Sequence, residues 1–142
     1  MNTKVLLAAL AGGVAYFFLG WAVYGMLLSS TFSSMMTTES AAVTRPETDM
    51  VMWAMVVSCL AFGLMLAVIY SRWANISTFR TGAIAGAVIT LLMTLSTDLG
   101  MFSMYNLTNG GAGLLVNPIV NAVLGGVVGG VIGWVLGYGG KK

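Results

Sequence analysis

The sequence has little of what a hydrated surface or a catalytic centre needs. Only 7% of its 142 residues are charged, whereas an average soluble domain has about 25%, so the chain lacks the charges to cover a water-facing surface. Histidine is absent and cysteine occurs once, at Cys59. An intrachain disulfide and a Cys/His metal site are therefore excluded. We expect no bound metal and no cofactor.

Catalytic and nucleic-acid-binding patterns are missing as well. The sequence has no histidine base, no adjacent pair of carboxylates within an apolar segment and no phosphate-binding loop. Its 6 Lys and Arg residues are scattered along the chain, whereas a nucleic-acid footprint requires them to cluster. These absences predict a protein that is not an enzyme and does not bind nucleic acid.

What the sequence does have is apolar length. Hydrophobic residues make up 58% of the chain and concentrate in four segments, each close to the ~20 residues that cross the hydrocarbon core of a bilayer. The segments cover about residues 5–28, 50–70, 81–102 and 118–138. The first is too long for the apolar core of a signal peptide, and no cleavage site follows it. We expect an all-α fold, in which residues 1–142 form one integral membrane domain, a bundle of four transmembrane helices.

The charged residues predict how the four segments cross the membrane. In a four-span arrangement, one side receives most of the basic residues: Lys4, Arg72, Arg80, Lys141 and Lys142. On the other side, acidic residues outnumber a single arginine: Arg45, Glu39, Glu47 and Asp49. Positively charged links stay in the cytoplasm. Both termini are therefore expected there, in a multi-pass protein of the cytoplasmic (inner) membrane.

Aromatic residues near the segment ends agree with this arrangement. Tryptophan and tyrosine are enriched at both membrane–water interfaces. The residues expected at the outer boundary are Trp21, Tyr24, Trp53 and Tyr105. Those expected at the inner boundary are Tyr70, Trp73, Phe79, Trp134 and Tyr138.

A run of glycines marks the fourth segment. They recur at every fourth position, and we call them the glycine ridge: Gly125, Gly129, Gly133 and Gly137. This spacing places them along one face of a helix, where the missing side chains let another helix approach closely, and so predicts glycine-zipper packing. Small residues that offer partners occur in the first and third segments: Gly12, Gly13, Gly82 and Gly86. We expect helices one, three and four to pack closely, and the sequence leaves open whether the ridge packs within one chain or between chains.

Polar residues inside the apolar segments form one candidate path. Thr90, Thr94 and Asp98 follow each other at helical spacing in the third segment, and Asn121 lies about one turn into the fourth. A carboxylate in a span is costly and usually faces protein or water, so these residues are candidates for lining the path of a cation or proton. In the alternative interpretation, the threonines bond to their own backbone and Asp98 reaches the interface or pairs with Asn121. Asn121 then only holds helices together.

The first link, residues 29–49, is the only long polar segment. It is short for a binding domain and suits a mobile loop. At its end, Pro46, Glu47 and Asp49 predict the first turn of the second helix. Proline has no N–H to leave unpaired there, and carboxylates favour a helix N-terminus.

The last link carries a similar signal. Asn117 followed by Pro118 predicts the cap and first residue of the fourth helix. Residues 106–116 would then form a compact loop, with the apolar residues 114–116 along the membrane surface.

Several stretches resemble a known family. They are Leu19-Gly20-x-x-x-Tyr24-Gly25 in the first segment, Arg72-Trp-Ala-Asn-Ile76, residues 98–107 and the glycine-rich fourth segment. Together they resemble a group of small, uncharacterised bacterial membrane proteins that share the Leu-Gly-x-x-x-Tyr-Gly pattern in their first span. The resemblance implies four helices and a bacterial cytoplasmic membrane. It implies no function.

Two functions remain in view. The composition and the glycine ridge favour a non-enzymatic membrane protein that acts by assembly, as a homo-oligomer or as an accessory subunit of a larger membrane complex. Its partners would be the lipid bilayer and copies of itself or other membrane subunits. The alternative is a small channel or transporter for an ion or small solute, whose path follows the polar residues of the third and fourth segments.

Overall fold

The computed structural model describes residues 2–106, 108–109 and 111–138. Leu107, Lys141 and Lys142, which contribute to the expectations above, lie outside these residues. The described residues form six α-helices and no strand, together with three further turns of π-helical or 3₁₀ type. In chain order the helices are α1 (Thr3–Gly20), α2 (Ser29–Met35), α3 (Thr38–Val43), α4 (Met52–Ile69), α5 (Phe79–Met104) and α6 (Ala112–Gly137).

Four of these helices are long and apolar enough to cross a membrane: α1, α4, α5 and α6. π-Helical turns extend α1 over Trp21–Leu27 and α4 over Tyr70–Ala74. The all-helical class and the four candidate spans agree with the sequence, and the chain has the helices of a multi-pass membrane protein.

Local residues set where α4 ends and α5 begins. Asn75 takes a left-handed backbone conformation with a φ of 50°, which asparagine adopts more readily than most residues, and it ends the π-helical turn. The hydroxyl of Thr78 accepts a hydrogen bond from the backbone N–H of Thr81 at 3.2 Å, which satisfies one of the free N–H groups at the start of α5. The link between these two spans is therefore short.

The spans are arranged around α6. α5 packs along one face of α6, while α1 packs against another face and also against α4. In its most apolar stretch, α6 has 44% of its residues buried, whereas α5 has 11%. α6 is thus the central helix and α5 an edge helix. The sequence predicted close packing of helices one, three and four. This prediction did not include α4, which packs extensively against α1.

The two ends of the bundle are easy to distinguish. Lys4 of α1 and Tyr138 after α6 line one surface pocket, so the start of α1 lies beside the end of α6. At the opposite end a single antiparallel β-bridge pairs Met36 with Thr108, and the Thr37 hydroxyl donates to the carbonyl of Asn106 at 2.6 Å. We call the part of the bundle that contains Lys4 and Tyr138 the termini half. The part that contains the bridge between Met36 and Thr108 is the loop half.

The first link differs from the expected loop. It contains α2 and α3, and Thr37 caps α3 by accepting a hydrogen bond from the N–H of Ser40 at 3.1 Å. The expected first turn of the second helix is a separate 3₁₀ turn over Glu47–Asp49. Val51, with a ψ of 81°, breaks the helical path before α4 starts.

The predicted start of the fourth helix is wrong. α6 begins at Ala112, so Pro118 is its seventh residue and residues 114–116 are helical. The turn before α6 uses Gly111, whose φ of 50° and ψ of −94° favour glycine. Pro118 is fully buried, and the one helical hydrogen bond that a proline removes is tolerated in spans that pack against neighbouring helices.

Candidate functional site

The glycine ridge lies against α5 and the residues just before it. A Cβ atom added at Gly129 would be 2.5 Å from the Tyr70 hydroxyl and 2.9 Å from the Cα of Gly86. One added at Gly133 would be 3.2 Å from the Cα of Gly82. Gly125 faces Thr90, and Gly137 faces the backbone of Ser77. These neighbours leave no room for a side chain at any position of the glycine ridge. All of them belong to the same chain, so the ridge contacts other parts of its own chain.

The glycines of α1 have different partners. A Cβ atom at Gly12 would be 2.5 Å from the Ile132 side chain of α6. A Cβ atom at Gly13 would be 2.8 Å from the Leu60 side chain of α4, and one at Gly63 would be 2.6 Å from the backbone nitrogen of Gly13. Gly12 therefore packs on a face of α6 that is different from the ridge. Gly13 pairs with Gly63, which was not among the glycines predicted to form helix contacts.

Tyr70 joins three spans in the termini half. Its side chain is fully buried, and its hydroxyl donates to the carbonyl of Gly82 at 2.6 Å. The same hydroxyl approaches the positions where Gly86 and Gly129 would carry a Cβ atom. The glycines of α5 and α6 thus make room for the tyrosine that follows α4. Its expected place at the inner membrane boundary stays a prediction.

The expected polar stripe divides into two parts. Thr90 is 3% exposed, and its hydroxyl donates to the carbonyl of Gly86 at 2.7 Å. It belongs to the contact between α5 and α6. Thr94 is half-buried, while Asp98 accepts a hydrogen bond from the amide of Asn117 at 2.8 Å. The partner of Asp98 is therefore Asn117 rather than Asn121, because α6 starts early enough to place Asn117 on the helix itself.

Five polar side chains form one hydrogen-bonded network in the loop half. They come from α1 with its π-helical turn, α5 and α6, and are Tyr16, Tyr24, Asp98, Asn117 and Asn121. Tyr16 donates to Asn121 Oδ1 at 3.3 Å, and Asn121 Nδ2 donates to the Tyr24 hydroxyl at 2.5 Å. Tyr24 donates to Asn117 Oδ1 at 2.8 Å. Since Asn117 Nδ2 in turn donates to Asp98, the network connects α1 to α5 through α6.

The carboxylate sets the direction of this network. A carboxylate only accepts hydrogen bonds, so Asn117 must turn its NH₂ group to Asp98 and its oxygen to Tyr24. Each bond from Tyr16 onward then points towards Asp98, and hydrogen bonds aligned in this way strengthen one another. Within the described part of the chain, Asp98 accepts this one hydrogen bond and forms no ion pair. The carboxylate has no positive partner there.

Asp98, Asn117 and Tyr24 line a cavity of about 410 Å³ between α5, α6 and the first link. Most of its other lining residues are apolar: Phe32, Met35, Met36, Met101, Phe102, Gly113 and Leu114, with Thr97 and Thr108 as the exceptions. The rings of Tyr24 and Phe32 lie 5.0 Å apart between centroids, at an angle of 46°. A carboxylate therefore borders a small chamber with aromatic and thioether walls.

Comparison with models of protein families, with curated proteins and with solved structures finds no match to this chain. An apolar cavity with a few convergent polar groups is the usual form of a small-molecule site. The described residues contain no cluster of three or more His, Cys, Asp or Glu that suits a metal ion.

Sequence reasoning missed three members of the network. Asn117 looks like a helix cap beside Pro118, while Tyr24 resembles an interfacial aromatic and Tyr16 carries no signal of its own. One available signal is spacing, because Asn117 and Asn121 lie one helical turn apart and share a face. The π-helical turn Trp21–Leu27, which contains Tyr24, is visible only in the structure; such turns are frequent at functional sites.

Proposed function

We propose that the protein is a small membrane transporter or channel for a cation, and that Asp98 is its cation-binding group. The observation that carries the proposal is the carboxylate at the 410 Å³ cavity with one amide partner and no positive partner among the described residues. Asp98 lies six residues before the end of α5 at Met104, which is about 9 Å along the helix. An ionisable group within a span is a functional-site hypothesis by default, and substrate and ion pathways are among the sites that such groups mark.

The packing of the two halves supports a gated pathway. The cavity lies in the loop half, whereas the termini half is filled by Tyr70 and the glycine contacts. A transporter needs a site that is reached from one side while the other side is closed. This arrangement suits a state whose solute site is reached from the loop half.

We further propose that the termini half faces the cytoplasm. Lys4, Arg72 and Arg80 belong to that half, whereas Arg45 is accompanied by Glu39 and Asp49 in the first link, and basic links stay in the cytoplasm. The resemblance described above adds a bacterial cytoplasmic membrane. In this orientation the cavity would collect its solute from outside the cell.

The glycine ridge is proposed to act as a glycine zipper within the chain. The short distances between the backbones of α5 and α6 support this proposal. From the sequence, assembly is the favoured function, and it stays open whether the ridge packs within one chain or between chains. Since α5 lies against the ridge, the ridge supports the folding of one chain, and we favour the non-enzymatic transport role.

Assembly remains a second candidate because α5 is an edge helix. Several of its large apolar side chains are exposed: Ile84, Val88, Leu92 and Leu99. Lipid or another protein subunit can cover such a face. Native mass spectrometry of the protein extracted from its own membrane separates these cases, because a homo-oligomer or a complex with other subunits gives a larger mass than a monomer.

The test of transport is cation flux into liposomes that contain the purified protein. We expect uptake of at least one cation by the wild-type protein and at least a tenfold loss in Asp98→Asn, which removes the charge and keeps the size of the side chain. Asp49→Asn is the matched control, because Asp49 is exposed in the first link. Equal flux in wild type and a folded Asp98→Asn variant would rule out the proposed role of Asp98.

A further inference from the structure

We propose that the cavity beside Asp98 takes an organic ammonium ion, that is, a positively charged nitrogen that carries apolar groups. The inference rests on the proposed cation binding at Asp98 and names the class of solute. It follows from three properties of the cavity, namely its single negative charge, its shortage of oxygen ligands and its aromatic walls.

The negative charge of Asp98 favours a ligand with one positive charge. Asp98 uses one carboxylate oxygen, Oδ2, to accept the hydrogen bond from Asn117. Among the described residues nothing donates to the other oxygen, and the cavity is lined by no Lys or Arg. A monovalent cation beside this oxygen would neutralise a carboxylate that otherwise stays uncompensated within a span.

The oxygen count argues against a hard metal ion. Ca²⁺ takes six to eight oxygen ligands, and Mg²⁺ requires a nearly ideal octahedron. The cavity offers one carboxylate and the hydroxyls of Thr97 and Thr108. The side-chain oxygens of Asn117 and Tyr24 are already engaged in the network. A metal ion would lose most of its hydration shell without replacement.

The walls suit the apolar groups of an organic cation. Phe32, Phe102 and Tyr24 bring aromatic rings to the same cavity as the carboxylate. The tilted arrangement of the Tyr24 and Phe32 rings forms an aromatic corner. Aromatic rings attract ammonium groups through their negative faces, which is how aromatic cages hold quaternary ammonium ligands.

The cavity also has the size of a small-molecule site. Its volume of about 410 Å³ falls within the range of about 300–1,000 Å³ that is usual for such sites. The flexible side chains of Met35, Met36 and Met101 line the remaining wall. Methionine adapts to ligands of irregular shape, so the chamber suits a compact substituted ammonium rather than one particular molecule.

The decisive experiment compares a charged ligand with its neutral copy. Binding of choline and of 3,3-dimethylbutan-1-ol, in which carbon replaces the ammonium nitrogen, is measured by calorimetry on the full-length protein in nanodiscs. We expect saturable choline binding that is at least tenfold tighter than binding of the alcohol. This comparison uses wild-type protein and does not depend on the folding of a variant. Equal affinity for the two ligands, or no binding of choline or tetramethylammonium, would overturn the inference.

Variants locate the binding. Asp98→Asn is expected to weaken choline binding at least tenfold, and Phe32→Leu, which removes a ring and keeps an apolar side chain, several-fold. Phe18→Leu is the matched control, because Phe18 is 60% exposed and lies outside the cavity. Full affinity in folded Asp98→Asn and Phe32→Leu variants would place any ammonium site elsewhere and contradict the inference.

The outcomes separate the inference from the proposed function. If Asp98 is needed for flux of protons or Na⁺ and choline does not bind, transport stands and the ammonium class is wrong. If choline binds through Asp98 and the protein moves no cation in liposomes, the ligand class stands and transport is wrong. Binding of Ag⁺ that depends on Met101, without ammonium binding, would make the cavity a soft-metal site and also overturn the inference.

Discussion

The two halves of this bundle are built from the same four helices and packed in different ways. In the termini half, glycine backbones touch, and the side chains of Leu66, Tyr70, Val128 and Ile132 are fully buried. In the loop half, no other part of the structure lies within 4 Å of the positions where Gly20 and Gly100 would carry a Cβ atom. There, cavities and a polar network occupy the space between the helices.

The difference shows that glycine content alone does not define a helix contact in a membrane. Helices associate in lipid through close van der Waals packing rather than through a hydrophobic driving force. A glycine contributes where another part of the protein lies close by, such as the backbone of Gly86 beside Gly129 or the side chain of Ile132 beside Gly12. The termini half is thus closely packed, whereas the loop half contains cavities between its helices.

The largest effect is expected from a bulky side chain in the termini half. Gly129→Leu would place a side chain where a Cβ atom alone is 2.5 Å from the Tyr70 hydroxyl. The helices would have to separate, which we expect to lower the free energy of unfolding by at least about 3 kcal/mol or to prevent folding. The measurement is thermal unfolding in detergent, followed by circular dichroism.

The same change in the loop half is the control. Gly100→Leu adds a side chain to an exposed helical position with open space around it. It should not destabilise the protein, because glycine inside a helix is less favourable than other residues by up to about 1 kcal/mol. If both variants unfold at the same temperature as the wild-type protein, the close contact between α5 and α6 is wrong.

The next effect is expected in the loop half and concerns activity more than stability. Asn117→Leu removes the amide that joins Asp98 to Tyr24. The variant also loses the hydrogen bond that Asn117 Oδ1 accepts from Asn121. Hydrogen bonds between membrane helices are worth about 0.6 kcal/mol on average, so the three lost bonds should cost about 2 kcal/mol. Because the position of Asp98 is no longer fixed, cation flux should fall about tenfold while the protein remains folded.

A matched variant distinguishes the loss of a fixed position of Asp98 from general damage to the protein. Ser103→Ala removes a hydroxyl from the same helix that lies outside the cavity and donates to the carbonyl of Gly100 in its own helix. Flux in this variant should stay near the wild-type value. Equal losses in the two variants would mean that the network does not position Asp98.

The sequence predicts the parts of this fold that depend on one helix at a time. Length and apolarity identify the four spans. Which helices pair depends on three-dimensional contacts, so the contact of Gly13 with Gly63 could not be read from the spacing within one segment. Similarly, Pro118 carries a helix-start signal that Gly111 overrides, because a glycine with positive φ turns the chain earlier.

The candidate site was only partly predictable for the same reason. Asp98 stands out because a carboxylate in an apolar segment is rare. Tyr16 and Tyr24 have ordinary places for aromatic residues in a span, and only their contacts with Asn121 and Asn117 make them part of the site. Thr90 matches the helical spacing of the polar stripe, yet its depth in the contact with Gly125 separates it from Asp98.

The smallest effects come from removing one hydroxyl in each half. Tyr70→Phe deletes a fully buried hydrogen bond of 2.6 Å, and we expect a loss of about 1 kcal/mol in the free energy of unfolding. Tyr16→Phe deletes a longer bond of 3.3 Å to Asn121 and leaves the ring beside Phe62, whose centroid is 4.5 Å away. Its loss should be about 0.3 kcal/mol, because a long hydrogen bond is weak. Unfolding curves of the two variants in one detergent give the ratio directly, and a larger loss for Tyr16→Phe would mean that the loop half, rather than the termini half, holds the bundle together.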